Sequence, residues 1–258
     1  MNRTQSAFAH GKAFIPFVTA GDPCLETTEQ LVLRMDEAGA DLIELGIPFS
    51  DPVAEGEVIQ QADARALAAG AATDAIFEMV QRLRTKTDVP LAFMTYANPV
   101  FVYGPDRFME AGRKAGIDAV IVPDLPFEEK GELLPACRQN GISLISMIAP
   151  TSCARIGAIA AQAEGFVYCV SSLGVTGVRS SITTDVARMV AQVKAVRDIK
   201  CAVGFGVSTP HQAREMATAA DGVIVGSAIV RLIAQYGRES IKPVADYVRQ
   251  MKTAINDC

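Results

Sequence analysis

The chain has 258 residues, half of them hydrophobic and 21% charged, with a formal net charge of −5. That hydrophobic content excludes a disordered chain, and the length is that of one (β/α)8 barrel with a single large core. There is no basic stripe of the kind nucleic-acid binders carry, and no apolar run approaches the about 18 residues of a membrane span.

From the amino end, Met1 to Phe14 lacks the long apolar core of a signal peptide, so a cytosolic protein is expected. Short apolar runs bounded by turn residues then follow at Ala13–Thr19, Leu42–Gly46, Leu91–Tyr96, Ala119–Pro123, Ser143–Ile148, Phe166–Ser171, Cys201–Phe205 and Gly222–Val225. Helical patterns fall between them, among others at Glu26–Ala38, Thr73–Arg84, Phe108–Ala115, Thr183–Val196 and Pro210–Ala219. Three segments share one pattern: EAGADLIELGIP from Glu37, KAGIDAVIVPDLP from Lys114 and ATAADGVIVGS from Ala217. Each is a helix end in small residues, an acidic residue, then an apolar run closing in Gly or Pro. Eight βα units without a composition break predict a single-domain α/β (β/α)8 TIM barrel over residues 1–258, with a doubly wound open sheet as the alternative.

In such a barrel the carboxyl ends of the strands carry the chemistry. Glu44 is a lone carboxylate inside the apolar run DLIELG. There it must pair with a buried cation, lose free energy to burial, or keep a proton; a raised pKa suits a general acid-base. The following stretch, GIPFSDPVAEGEVIQ, reads as a long loop in which Asp51 and Glu55 are the carboxylates able to reach the mouth. Phe17, Phe49, Met94, Tyr96, Tyr168 and Phe205 fall at or just beyond strand ends, which suits a flat apolar ligand.

Late in the chain SSLGVTG, GFGVST and GSA are glycine-bearing turns, and the last opens a helix pattern whose first turn offers Ser227 and free N–H groups. Phosphate is the ligand that such turns hold in barrels. The two histidines, His10 and His211, lie at the chain start and in a helix start, so no His-ligated metal site is expected. Lys200 begins a strand at the wrong end for Schiff-base chemistry. The chemistry is left to carboxylates. Six cysteines without a C-x-x-C pair read as reduced thiols packed as small hydrophobes.

The motifs PFVTAGDP, ELGIPFSDPVAEG, YANPVF, VPDLP, GVTG, GFGVS and GSAIV occur in this order across nearly the whole chain. Together they resemble the α subunit of tryptophan synthase. That resemblance implies cleavage of indole-3-glycerol phosphate to indole and glyceraldehyde 3-phosphate, with no metal or organic cofactor, beside a β subunit in an α2β2 complex. It implies Glu44 as the acid-base and Glu55 as the second catalytic carboxylate. The family has aspartate at the Glu55 position and proline at the Glu57 position, so this chain departs from the pattern there. The resemblance further implies Phe17 and Tyr168 around the indole, Thr176 in a lid loop, and Gly177, Gly206, Gly226 and Ser227 at the phosphate. Asp51, Pro52, Asn98 and Pro126 would face the partner. Two other readings stay open: a barrel kept mainly to bind and activate a β subunit, and a lyase that works alone.

Overall fold

The computed structural model of the protein describes residues 3–152, 154–170, 179–204 and 206–256, with the side chains of 179–185 left aside. Its parallel strands are β1 (Ala13–Thr19), β2 (Ile43–Gly46), β3 (Leu91–Met94), β4 (Ala119–Ile121), β5 (Ser143–Leu144), β6 (Ser146–Ile148), β7 (Phe166–Val170), β8 (Lys200–Gly204) and β9 (Gly222–Val225). They pair in the order β5-β4-β3-β2-β1-β9-β8-β7-β6. β5 and β6 are the two pieces of the fifth expected strand, parted at Ile145, whose N–H donates to the Val120 carbonyl at 2.9 Å. The nine strands therefore form a nearly closed barrel, and all eight expected runs are present, several a residue or two shorter at their ends.

Strand alternation sorts the core into two layers. Ile43 and Leu45 pack outward against the helices, whereas Leu42, Ile15, Ala92, Ile121, Ile145, Tyr168 and Ala202 fill the barrel interior. Phe8 plugs the amino end, its ring centroid 5.6 Å from that of Phe166. The open end is thus the carboxyl end of the strands.

The acidic residue of each sequence repeat performs one job at the closed end. Asp41, Asp118 and Asp221 each donate their own N–H to a carbonyl on the neighbouring strand, that of Phe14, Leu91 and Cys201 respectively. Each carboxylate then accepts the N–H of that same residue, at 2.7, 3.0 and 2.9 Å. A cation completes each staple: Lys252 on Asp41, Arg84 on Asp118 and Lys194 on Asp221. The repeat is a backbone-satisfying device: it gives an acceptor to an N–H within the first two positions of β1, β3 and β8.

Between β2 and β3 the chain forms the helices Glu57–Ala68 and Thr73–Arg84. The loop after β2 is shorter than its composition suggests, because residues 57–60 already belong to the first of these. Glu57 is an acid in the first turn, where the helix dipole favours it, and Gln61 donates to its carboxylate at 3.0 Å. Arg65 on the same helix makes a two-pronged ion pair, at 2.9 and 2.7 Å, with buried Asp22 in the turn after β1. That pair pins the helix over the mouth. Among the described residues, no helix is long and apolar enough to cross a membrane.

Candidate active site

Glu44 lies on the inward face of β2, in register with Phe17 on β1 and Ala92 on β3. It is fully buried, and neither carboxylate oxygen has a hydrogen-bond partner. Burial alone pushes its pKa up, to about 8, because nothing nearby compensates the desolvated charge. At neutral pH this group holds a proton in an apolar shell. Tyr168, from β7, lies close enough to feel the Glu44 charge; burial first, and that charge second, raise its phenol well above the ordinary range.

Two glycines make room for the rings at the mouth. A Cβ at Gly46 would sit 2.6 Å from the Phe17 ring, and one at Gly204 would collide with the Tyr168 hydroxyl. Residues expected to sandwich a flat ligand therefore rest against strand ends that only glycine can supply. Tyr96, just beyond β3, is buried, and its ring centroid is 5.3 Å from that of Phe49.

Glu55 is partly buried in the loop after β2. Burial raises its pKa, while hydrogen bonds from Asp63 and Tyr96 oppose the rise. Its Oε2 is buried and makes no hydrogen bond. The Tyr96 hydroxyl in turn accepts the Ala54 N–H at 2.9 Å, tying the loop to β3. Sequence reasoning missed Asp63, which is only 4% exposed on the buried face of Glu57–Ala68. Burial and then the Glu55 charge push its pKa up to about 8.

Across the mouth, Gly226 precedes the helix Ser227–Tyr236, ten residues long. The Gly226 carbonyl accepts from Ile229 and Val230, so the amides of Ser227 and Ala228 head the helix; the Ser227 side chain is exposed. Gly206 has φ +76°, the left-handed region in which glycine is at home. Thr176, Gly177 and Phe205 lie outside the described residues, as do Cys153 and Cys258. Cys24, Cys137, Cys169 and Cys201 are free thiols. Among the described residues, no group of three His, Cys, Asp or Glu side chains could hold a metal ion.

The residues expected to face a partner gather on the same rim. Asp51, Asn98 and Pro126 are exposed and Pro52 is half-buried. Beside them are apolar side chains that the sequence reading passed over: Val53 and Val102 are 80% and 81% exposed, and Phe101 is 44% exposed.

The family model described as the tryptophan synthase alpha chain matches residues 4–256. The tryptophan synthase alpha chain of Citrifermentans bemidjiense is 50% identical over 246 residues, covering 95% of this chain and 92% of the relative. Among solved structures, tryptophan synthase subunit alpha from Legionella pneumophila superposes with a TM-score of 0.91 at 35% identity over the whole of both chains. A Pyrococcus furiosus structure, described as the basis of mutual activation of the tryptophan synthase a2b2 complex, does so with a TM-score of 0.86 at 36% identity, covering 94% of this chain and 99% of that one.

Proposed function

We infer the function from one premise: the chain belongs to the tryptophan synthase alpha chain family. It is a carbon–carbon lyase of tryptophan biosynthesis that cleaves indole-3-glycerol phosphate to indole and glyceraldehyde 3-phosphate, in complex with a β subunit. We read the whole chain as one cytoplasmic barrel domain whose chemistry needs neither metal nor organic cofactor.

The observation that carries the mechanism is Glu44, protonated at neutral pH and free of any competing partner. An indole lying between Phe17 and Tyr168 offers C3 to this acid. Proton transfer to C3 turns the ring into an indoleninium cation, an electron sink that a neutral indole is not. The Glu44 carboxylate then takes the proton of the glycerol hydroxyl next to the ring. The C–C bond breaks, its electron pair returns to the ring, and indole leaves with the aldehyde as co-product. Glu55 accepts the indole N–H and stabilises the positive charge that builds there. Gly206, the Gly226–Ser227 helix start and Gly177 hold the phosphate, while Tyr96 and Phe205 wall the mouth and Thr176 belongs to its lid. Asp51, Pro52, Asn98 and Pro126 face the β subunit, with Val53, Phe101 and Val102 as the apolar part of that face.

The test is indole release from indole-3-glycerol phosphate, with and without a β subunit. The wild-type chain should turn over, and faster with the partner. Glu44→Gln should bind an uncleavable indolyl-alkyl phosphate normally and lose at least about a hundredfold in turnover. A Glu44→Gln enzyme that kept a tenth of wild-type turnover would remove Glu44 from the acid-base role.

A further inference from the structure

The second carboxylate is itself held by a carboxyl group. Asp63 belongs to the buried stripe Ile59, Ala62, Asp63 and Ala66 of the pinned helix, and its side chain meets Glu55 in a hydrogen bond. Two carboxylates cannot hydrogen-bond to each other unless one keeps a proton. Glu55 Oε2 is buried, and Asp63 and Tyr96 are the side chains that face the Glu55 carboxyl group. Arg65, two residues beyond Asp63, is committed to Asp22 and leaves the pair without a cation of its own on that helix.

We propose that Asp63 is a positioning residue for the lyase reaction: its buried carboxyl shares one proton with that of Glu55, and this contact holds Glu55 toward the N–H of the indole. The inference rests on the reading of Glu55 as the N–H acceptor. It also supplies what the extra methylene of Glu55, relative to the family aspartate, removes. A longer and more mobile arm is fixed by a second donor in addition to Tyr96. Burial pushes both carboxyls up, and the Glu55 charge adds to the rise in Asp63 against the hydrogen bonds that Thr19 and the Phe49 backbone give it, so the pair keeps one proton between them. Tyr96 is the other titratable group on the pair, and its hydrogen bond favours the ionised form of Glu55; Asp124 acts on Tyr96 alone.

The experiment compares wild type, Asp63→Asn, Asp63→Ala and Glu55→Ala in the complex with a β subunit. It reads indole release from about pH 6 to pH 9, and binding of an uncleavable indolyl-alkyl phosphate against its N-methyl counterpart. Asp63→Ala should lower kcat by about 10- to 100-fold with little change in KM, the usual effect of a misplaced catalytic group. It should also erase most of the preference for the N–H ligand. Asp63→Asn keeps an N–H donor and should recover kcat to within about threefold of wild type. Infrared difference spectra should show a protonated carboxyl, titrating near pH 8, that Asp63→Asn removes and Glu44→Gln leaves in place. Wild-type kcat in Asp63→Ala with an inactive Glu55→Ala overturns the role of Asp63 alone. An Asp63→Asn enzyme as slow as Asp63→Ala overturns the shared proton. A fully active Glu55→Ala overturns the reading beneath both. Should Asp63→Ala not fold, Asp63→Asn and the infrared signal still decide the matter.

Discussion

The buried proton on Glu44 has a cost that can be measured without substrate. In the unfolded chain the group titrates at its ordinary 4.5; in the folded chain it titrates at about 8. Below the lower value both states are protonated and nothing is lost. Between the two values the folded state holds a proton that the unfolded state has given up, so stability falls as pH rises, and it levels off above the higher value. Urea unfolding should therefore show wild type losing roughly 3 kcal/mol relative to Glu44→Gln between pH 4.5 and 7. Parallel curves for the two proteins would mean that Glu44 is not desolvated. This residue was legible in the sequence because a charge in an apolar strand is costly wherever the strand lies. Asp63 was not: the Pro, Gly and acids up to Gln60 have the composition of a loop, and an acid beside small apolar residues looks like an ordinary edge of an amphipathic face.

At the level of elements, the mouth is shaped by what strand ends omit. Gly204 at the end of β8 leaves the space that the Tyr168 ring fills. Gly204→Ala should displace that ring, costing about 1–3 kcal/mol in stability, and should raise KM for the indole substrate. An unchanged Tm and KM would show that the ring has somewhere else to go. The start of the helix Ser227–Tyr236 gives a second test. Ser227→Asp brings a carboxylate to the N–H groups that would hold phosphate, and should raise KM by about tenfold or more through repulsion. An unchanged KM would move the phosphate elsewhere. Glycine turns of this kind were visible in sequence because their spacing after the last two strands is fixed by the barrel. The ring contacts that require Gly46 and Gly204 were not, since they join residues on different strands.

For the whole molecule, the rim of the barrel presents Val53, Phe101 and Val102 to solvent beside Asp51 and Asn98. Exposed apolar residues clustered on one rim suit a partner surface. Val102→Asp should weaken stimulation by a β subunit about tenfold or more, read as the partner concentration giving half-maximal indole release, while the chain alone keeps its turnover. Equal stimulation would place the partner on another face. The architecture was legible almost completely, because alternation of short apolar runs with amphipathic helices leaves few closed solutions. The fifth run gave no hint of its break, which depends on how two neighbours diverge in space.

That break makes the wall of the barrel unequal around its circumference. β4 pairs with β5 only through Ser143 and Leu144, with the Ile145 N–H as the last rung, and β6 then turns to β7. Elsewhere neighbouring strands share up to five paired positions, as β7 and β8 do. Cooperative opening starts where the fewest backbone bonds must be broken together. Deuterium should therefore enter the amides of Val122 and Ser146–Ile148 well before those of β1, β7 or β8. Uptake at the same rate on both sides would mean that the ring breathes as one body; uptake at the seam alone would mean that it opens like a hinge-backed collar.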